Sequence, residues 1–154
     1  MKKILFILAS SLVILPSHSA DWYFADLSYS QANVIDRSTR TENGPFTSFR
    51  MVVAKIEPNG DEKISVSQNV INCQNRYRRI TYMEAYTNGR PQFQEVVPES
   101  VVPWQQEAPH SFVYQIICGR PDLQYRLDRS DHINNPVLMG NILIDTIKKV
   151  RQNN

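Results

Sequence analysis

Glycine, cysteine and histidine are all scarce in this chain, with 5, 2 and 3 copies among 154 residues. No P-loop and no dinucleotide-binding glycine pattern occurs, so phosphate-cradling loops are not indicated. The cysteines form no Cys-x-x-Cys pair and no cluster with histidine, which leaves no zinc-type ligand set. Beyond residue 20 the histidines are His110 and His132, and neither accompanies a G-x-S-x-G or H-E-x-x-H motif. Glu84, Glu95 and Glu99 are scattered, and nothing in their spacing pairs them as acid and base. No cofactor or metal is expected, and catalysis is the third-ranked reading. A dominant charge is missing as well. The chain has 17 Lys+Arg and 15 Asp+Glu, and the first twenty residues hold two of the lysines and no acid, so 15 balance 15 thereafter. A global nucleic-acid footprint is therefore not expected, and any polyanion would need a local patch. After residue 20 no apolar run is long enough to span a bilayer.

What is present begins with residues 1–20. Lys2 and Lys3 precede an apolar run of about a dozen residues, followed by Pro16 and the small residues Ser17, Ser19 and Ala20. This reads as a secretory signal peptide cleaved after Ala20, with Ser19 as the alternative. No cysteine near that point offers a lipid-attachment site. Export to the periplasm or the outer cell surface, without a lipid anchor, is the expected destination. There an even pair, Cys73 and Cys118, is expected to form a disulfide, with a redox or metal role as the alternative.

Three Asn-Gly pairs, at 43–44, 59–60 and 88–89, are hairpin signals. Strand-like segments flank them at 33–40, 45–56, 63–71, 73–86 and 91–97, preceded by another at 22–29. About six strands joined by short turns imply an antiparallel sheet. The segment 49–56 has few polar breaks and reads as a central strand covered on both faces for part of its length.

The period changes after Pro109. Phe112, Val113, Ile116 and Ile117 share a helical face, Pro109 suits the first turn, and Gly119-Arg120-Pro121 ends the helix. A Cys73–Cys118 bridge would pin this helix across one sheet face. Residues 122–135 read as a linker. Asn135-Pro136 then opens a second helix, 136–154, with the stripe Leu138, Met139, Ile142, Leu143, Ile147 and Val150. This helix either docks on the domain's own apolar surface or faces a partner or a membrane surface.

The segment 73–86 carries Arg76-Tyr77-Arg78-Arg79, then Tyr82 and Tyr86. Regular alternation would put Cys73, Tyr77, Arg79, Met83 and Ala85 on the helix-covered face, and Arg76, Arg78, Tyr82, Glu84 and Tyr86 on the other; a bulge would swap the faces. Arg76, Arg78, Arg79, Tyr82 and Tyr86 are the candidate ligand-binding residues, since arginine and tyrosine make good contact surface. The alternative is an ordinary solvated sheet face.

The order of these features resembles the surface-adhesin protein E family of Gram-negative bacteria, over residues of about 21–121. The resemblance is carried by Trp22 near the cleavage point, Cys73-Gln-Asn-Arg76-Tyr77-Arg78, Tyr86-x-x-Gly89, Pro98-Glu-Ser100 before Trp104, and Ile-Cys118-Gly119. It implies an α+β fold, a six-stranded antiparallel sheet with a short helix disulfide-tied to its concave face. The extra C-terminal helix lies outside it. It also implies an adhesin-like role, with capture of extracellular matrix or serum proteins such as vitronectin, laminin and plasminogen through the strand after Cys73. Two function classes follow. One is an exported, non-enzymatic binding domain contacting such proteins or an acidic polysaccharide. The other is a periplasmic subunit docking on another bacterial envelope protein through Leu138, Met139, Ile142, Leu143 and Ile147. Self-association as a homodimer is open to either.

Overall fold

The computed structural model describes residues 19–120, 122–127 and 132–153; the expected signal segment, apart from its last two residues, lies outside them. The protein is α+β. Strands β1 (Trp22–Leu27), β2 (Gln31–Asn43), β3 (Phe46–Ile56), β4 (Glu62–Asn72), β5 (Tyr77–Thr87) and β6 (Arg90–Val96) pair antiparallel in sequence order. A short seventh strand, β7 (Gln105–Gln106), was not foreseen and pairs with the start of β5. Because β6 pairs with the other end of β5, both lie on one outer edge, separated by an excursion at 97–104.

Each hairpin has a local cause. Gly44, Gly60 and Gly89 take positive φ of 59°, 89° and 75°, and Asn88 joins Gly89 at 49°. Asn88-Gly89 thus has the paired positive angles of a two-residue hairpin loop. The other two turns use only their glycine in that region. Asp61 ties two turns together by accepting from the side-chain amides of Asn88 and Asn59. These bonds, Asn88 first, hold its carboxyl below the ordinary range. The tie is therefore present above the ordinary carboxylate pKa and lost as pH falls through the lower folded value.

Even-numbered residues of β3 face one side of the sheet and odd-numbered ones the other. On the even side Val52, Ala54 and Ile56 join Trp22, Val34, Ile64 and Val66 in a core closed by α2 (Pro136–Gln152). On the odd side Phe49 and Met51 join Tyr23, Ile35 and Ile71 under α1 (Phe112–Cys118). The two helices therefore cover opposite faces, and β3 is sandwiched between them. The Cys73–Cys118 disulfide ties α1 to the β4–β5 turn.

Several expectations change in detail. Residues 73–76 form that turn rather than the start of β5, which opens at Tyr77. Asn72 closes the turn, its side-chain oxygen accepting from the backbone N–H of Gln74 and Asn75 at 3.0 and 3.3 Å. Helix α1 starts after Ser111, whose hydroxyl accepts from Tyr114 N, so Pro109 stands outside it. Gly119 has φ of −103° and makes no left-handed cap. The described part of 122–135 runs against β1. Leu127 N donates to Trp22 O, and Trp22 Nε1 donates to Ile133 O at 2.8 Å.

The stripe of α2 is also rotated from expectation. Asn135 caps it, accepting from the N–H groups of Val137 and Leu138. The buried set is Met139, Gly140, Leu143, Ile144 and Ile147. Leu138 and Ile142 are exposed, at 50% and 39%. Gly140 lets the helix backbone approach the sheet. A Cβ there would run into Ile64 Cγ2, and Ile64 is itself buried. Gly140→Ala would gain about 1 kcal/mol of helix propensity but lose about 1–3 kcal/mol to overpacking. We expect a net loss of stability in urea denaturation, reversed in sign when Ile64→Ala supplies the room.

Candidate functional site

A β-bulge in β5 decides what its residues face. Gln68 pairs with Tyr82 and the next residue, Asn69, pairs with Ile80, so Thr81 is the extra residue. The alternation inverts there. Tyr77 and Arg79 before the bulge pair with Asn72 and Val70, and Tyr82, Glu84 and Tyr86 after it pair with Gln68, Val66 and Ile64. All lie on the α2 side of the sheet. Arg78 lies on the α1 side with Asn69. The face assignment made by regular alternation is thereby corrected: Arg78 parts from Tyr82 and Tyr86, while Tyr77 and Arg79 join them.

The five residues singled out from sequence do not form one site. Arg76 sits in the turn at φ of 63°, a left-handed conformation unusual for a side-chain-bearing residue. Arg78 is consumed by structure, its Nε donating to Glu107 Oε1 and its Nη1 to the buried Asn69 Oδ1. Tyr82 and Tyr86 both donate to Glu84, at 2.9 and 2.8 Å. Gln94 Nε2 also donates to the Tyr82 hydroxyl. Both phenols are held above their ordinary range, Tyr86 mainly because Glu84 accepts its proton and Tyr82 mainly by burial. They remain hydrogen-bond donors well into alkaline solution, and Tyr86 also packs on the α2 core.

Of the five, Arg79 lines a cavity. Helix α2 covers the even-side residues at one end of the sheet, and the other end is open. There Thr41, Asn43, Phe46, Ser48, Val70, Arg79, Thr81 and Trp104 enclose a groove of about 390 Å³. A second groove of about 310 Å³ adjoins it, lined by Phe46, Asn72, Asn75, Tyr77 and Trp104. Phe46 and Trp104 belong to both, with ring centroids 5.8 Å apart. Trp104 comes from the end of the 97–104 excursion, which folds back over the sheet. Arg79 holds it there, its guanidinium carbon 5.8 Å from the ring centroid. Arg79 in turn donates to Glu99 Oε2 at 2.7 Å and to Val97 O at 3.3 Å, so the excursion is braced from both its limbs.

Sequence reasoning missed Phe46, Tyr77 and Trp104 as a cluster. Trp104 was visible only as a motif residue, and Phe46 only as part of the strand-like segment 45–56. Their meeting depends on the register that pairs Phe46 with Asn72 and Asn72 with Tyr77. Among the described residues no group of three His, Cys, Asp or Glu side chains is placed to hold a metal. No described helix is long and apolar enough to cross a membrane. Compared with family models, curated proteins and solved structures, the chain matches none.

Proposed function

We propose that this is an exported, non-enzymatic binding domain with an adhesin-like role, whose contact surface is the aromatic groove around Phe46, Tyr77, Arg79 and Trp104. The observation that carries the reading is the open end of the α2 face, where three large rings line adjoining cavities instead of being covered. Phe46 and Tyr77 are 39% and 40% exposed, a poor arrangement for a merely structural cluster and a good one for anchoring a ligand. The disulfide suits an oxidising compartment, and the signal-like segment 1–20 suits secretion to the periplasm or beyond. The resemblance to the surface-adhesin protein E family supports an extracellular matrix or serum ligand. It places binding on the strand after Cys73, and the groove uses Tyr77 and Arg79 of that strand.

The rival reading, a periplasmic subunit docking through the C-terminal helix, has less to work with. Met139, Leu143 and Ile147 are packed in the domain's own core, which leaves Leu138 and Ile142 as apolar contacts. Trp104→Ala should weaken capture of extracellular matrix or serum proteins about thirtyfold or more, as loss of a central aromatic anchor does. Leu138→Ser with Ile142→Ser should leave capture unchanged. Surface plasmon resonance against immobilised matrix proteins checks both. Capture indifferent to Trp104 but lost with Leu138 and Ile142 would reverse the assignment. Arg78→Glu is not a clean probe, because it breaks the contacts to Glu107 and Asn69 and is expected to lower the melting temperature.

A further inference from the structure

The groove's chemistry narrows what it can hold. Its cation is already neutralised, since Arg79 is paired with Glu99 and lies against Trp104 with only 15% of its side chain exposed. Arg78, on the opposite face, is paired with Glu107. Among the residues lining the two grooves an anionic ligand therefore meets no unpaired cation; Arg76, in the adjoining turn, is not one of them, so the electrostatic case for an acidic polysaccharide in the groove is weak.

Two asparagine amides are instead arranged as donors. Asn72 and Asn75 each turn their side-chain oxygen to backbone N–H groups, Asn72 to Gln74 and Asn75, and Asn75 to Tyr77 at 3.2 Å. That fixes each amide's orientation and leaves its NH₂ as the group available to a ligand. Both residues line the second groove beside Tyr77, Phe46 and Trp104. The first groove adds the amide of Asn43 and three hydroxyl oxygens that serve as acceptors: Thr81 Oγ1 already donates to Gln68 O at 3.3 Å, and the Thr41 and Ser48 hydroxyls bond each other. Aromatic faces carry partial negative charge and attract the polarised C–H bonds of a pyranose face, while fixed amides and hydroxyls match ring hydroxyls. A peptide added as a strand would want a free sheet edge and an acidic peptide an uncompensated cation, while a proline-rich peptide, which also suits aromatic grooves, offers no row of hydroxyls for the fixed amides to read. A single-stranded nucleic acid would want uncompensated cations. A neutral sugar wants rings and amides.

We propose that the groove is a subsite for a neutral oligosaccharide, with Trp104, Phe46 and Tyr77 as stacking surfaces and Asn72 and Asn75 as hydroxyl-reading donors. Two adjoining cavities that share Phe46 and Trp104 would seat consecutive sugar units. This assignment rests on the groove being the binding surface proposed above, and it makes the glycan of an extracellular glycoprotein, rather than its polypeptide, the contacted part.

The test uses the disulfide-bonded domain on an array of neutral and sulfated or uronate-bearing glycans, and on matrix and serum glycoproteins before and after enzymatic deglycosylation. The expected result is binding to neutral glycans, changed by less than about twofold between low and physiological salt. Trp104→Ala and Asn72→Ala should each weaken it about tenfold or more, with melting temperature followed in parallel. If the variant at Asn72 proves unstable, Tyr77→Ala, which removes a stacking ring from the second groove, should weaken binding by a comparable factor. Trp104-dependent capture that survives deglycosylation would overturn the sugar assignment while leaving the groove as the binding surface. Preference for sulfated or uronate-bearing glycans would overturn it too. Failure of every ligand to respond to Trp104 would overturn both.

Discussion

Replacing Asp36 by alanine is expected to lower the stability of the domain by about 3–5 kcal/mol, the usual loss when one member of a buried ion pair is removed. Asp36 is fully buried on the α2 side of β2. One carboxylate oxygen accepts from Asp21 N, Ser38 N and Ser38 Oγ at 3.1, 3.1 and 2.6 Å. The other accepts from Arg50 Nη2 at 2.8 Å. Arg50 Nε is buried without a partner, so the variant would leave this guanidinium with neither its counter-charge nor a full set of acceptors. The same carboxylate organises the irregular part of β2. Its register against β3 shifts between Asp36 and Thr41, where Thr39 Oγ1 donates to Asp36 O and accepts from Arg50 N. Thr41 and Asn43, which wall the groove, follow that shift. Loss of Asp36 should therefore weaken ligand capture as well as folding. Asp36→Ala with Arg50→Met should recover much of the stability, since it removes both charges. Urea denaturation of the single and double variants checks this, and a single-variant loss below about 1 kcal/mol would contradict the role assigned to the pair.

Removing the disulfide by changing Cys73 and Cys118 to serine should lower stability by about 4 kcal/mol on the chain-entropy estimate for its sequence separation of 45. Helix α1 has other attachments. Ile116 and Ile117 are buried against the sheet, Arg37 Nε donates to Ile116 O and Arg40 Nε to Ile117 O, at 3.3 and 3.0 Å. The Tyr114 hydroxyl donates to Cys73 O at 3.2 Å and holds the same junction noncovalently. The serine variant should thus keep its helix docked while unfolding at lower denaturant. Denaturation midpoints with circular dichroism measure the first, and amide hydrogen exchange in α1 the second. A helix that exchanges freely while the sheet stays protected would show that the bridge alone holds it.

The sheet was legible because its signals are local. Asn-Gly pairs mark turns by backbone conformation, and apolar stretches between them mark strands. The short helix and its bridge followed from a change of period and an even cysteine count. The groove was not legible for two physical reasons. One is the extra residue at Thr81, which no composition signal announces and which sends Arg78 to one side and Arg79 to the other of the faces expected for them. The other is the excursion that delivers Trp104, whose partners Phe46 and Arg79 are distant in sequence. The α2 stripe shows a milder failure. Gly140 contributes nothing to an apolar count, yet it sets the rotation of the helix because Ile64 occupies the space its side chain would need.

The excursion at 97–104 has another effect, on solubility. An open sheet has two rims of unpaired backbone groups, and a long straight rim invites a strand from another molecule. Here the β6 side is cut into pieces of seven and two residues. Pro91, Pro98 and Pro103, which have no N–H to offer, fall along it. The β1 side carries its own bulge between Phe24 and Asp26 and is met by Arg126 through an isolated bridge to Tyr23. With both rims interrupted in this way, the domain is guarded against the fibrous self-pairing that its all-antiparallel sheet would otherwise invite.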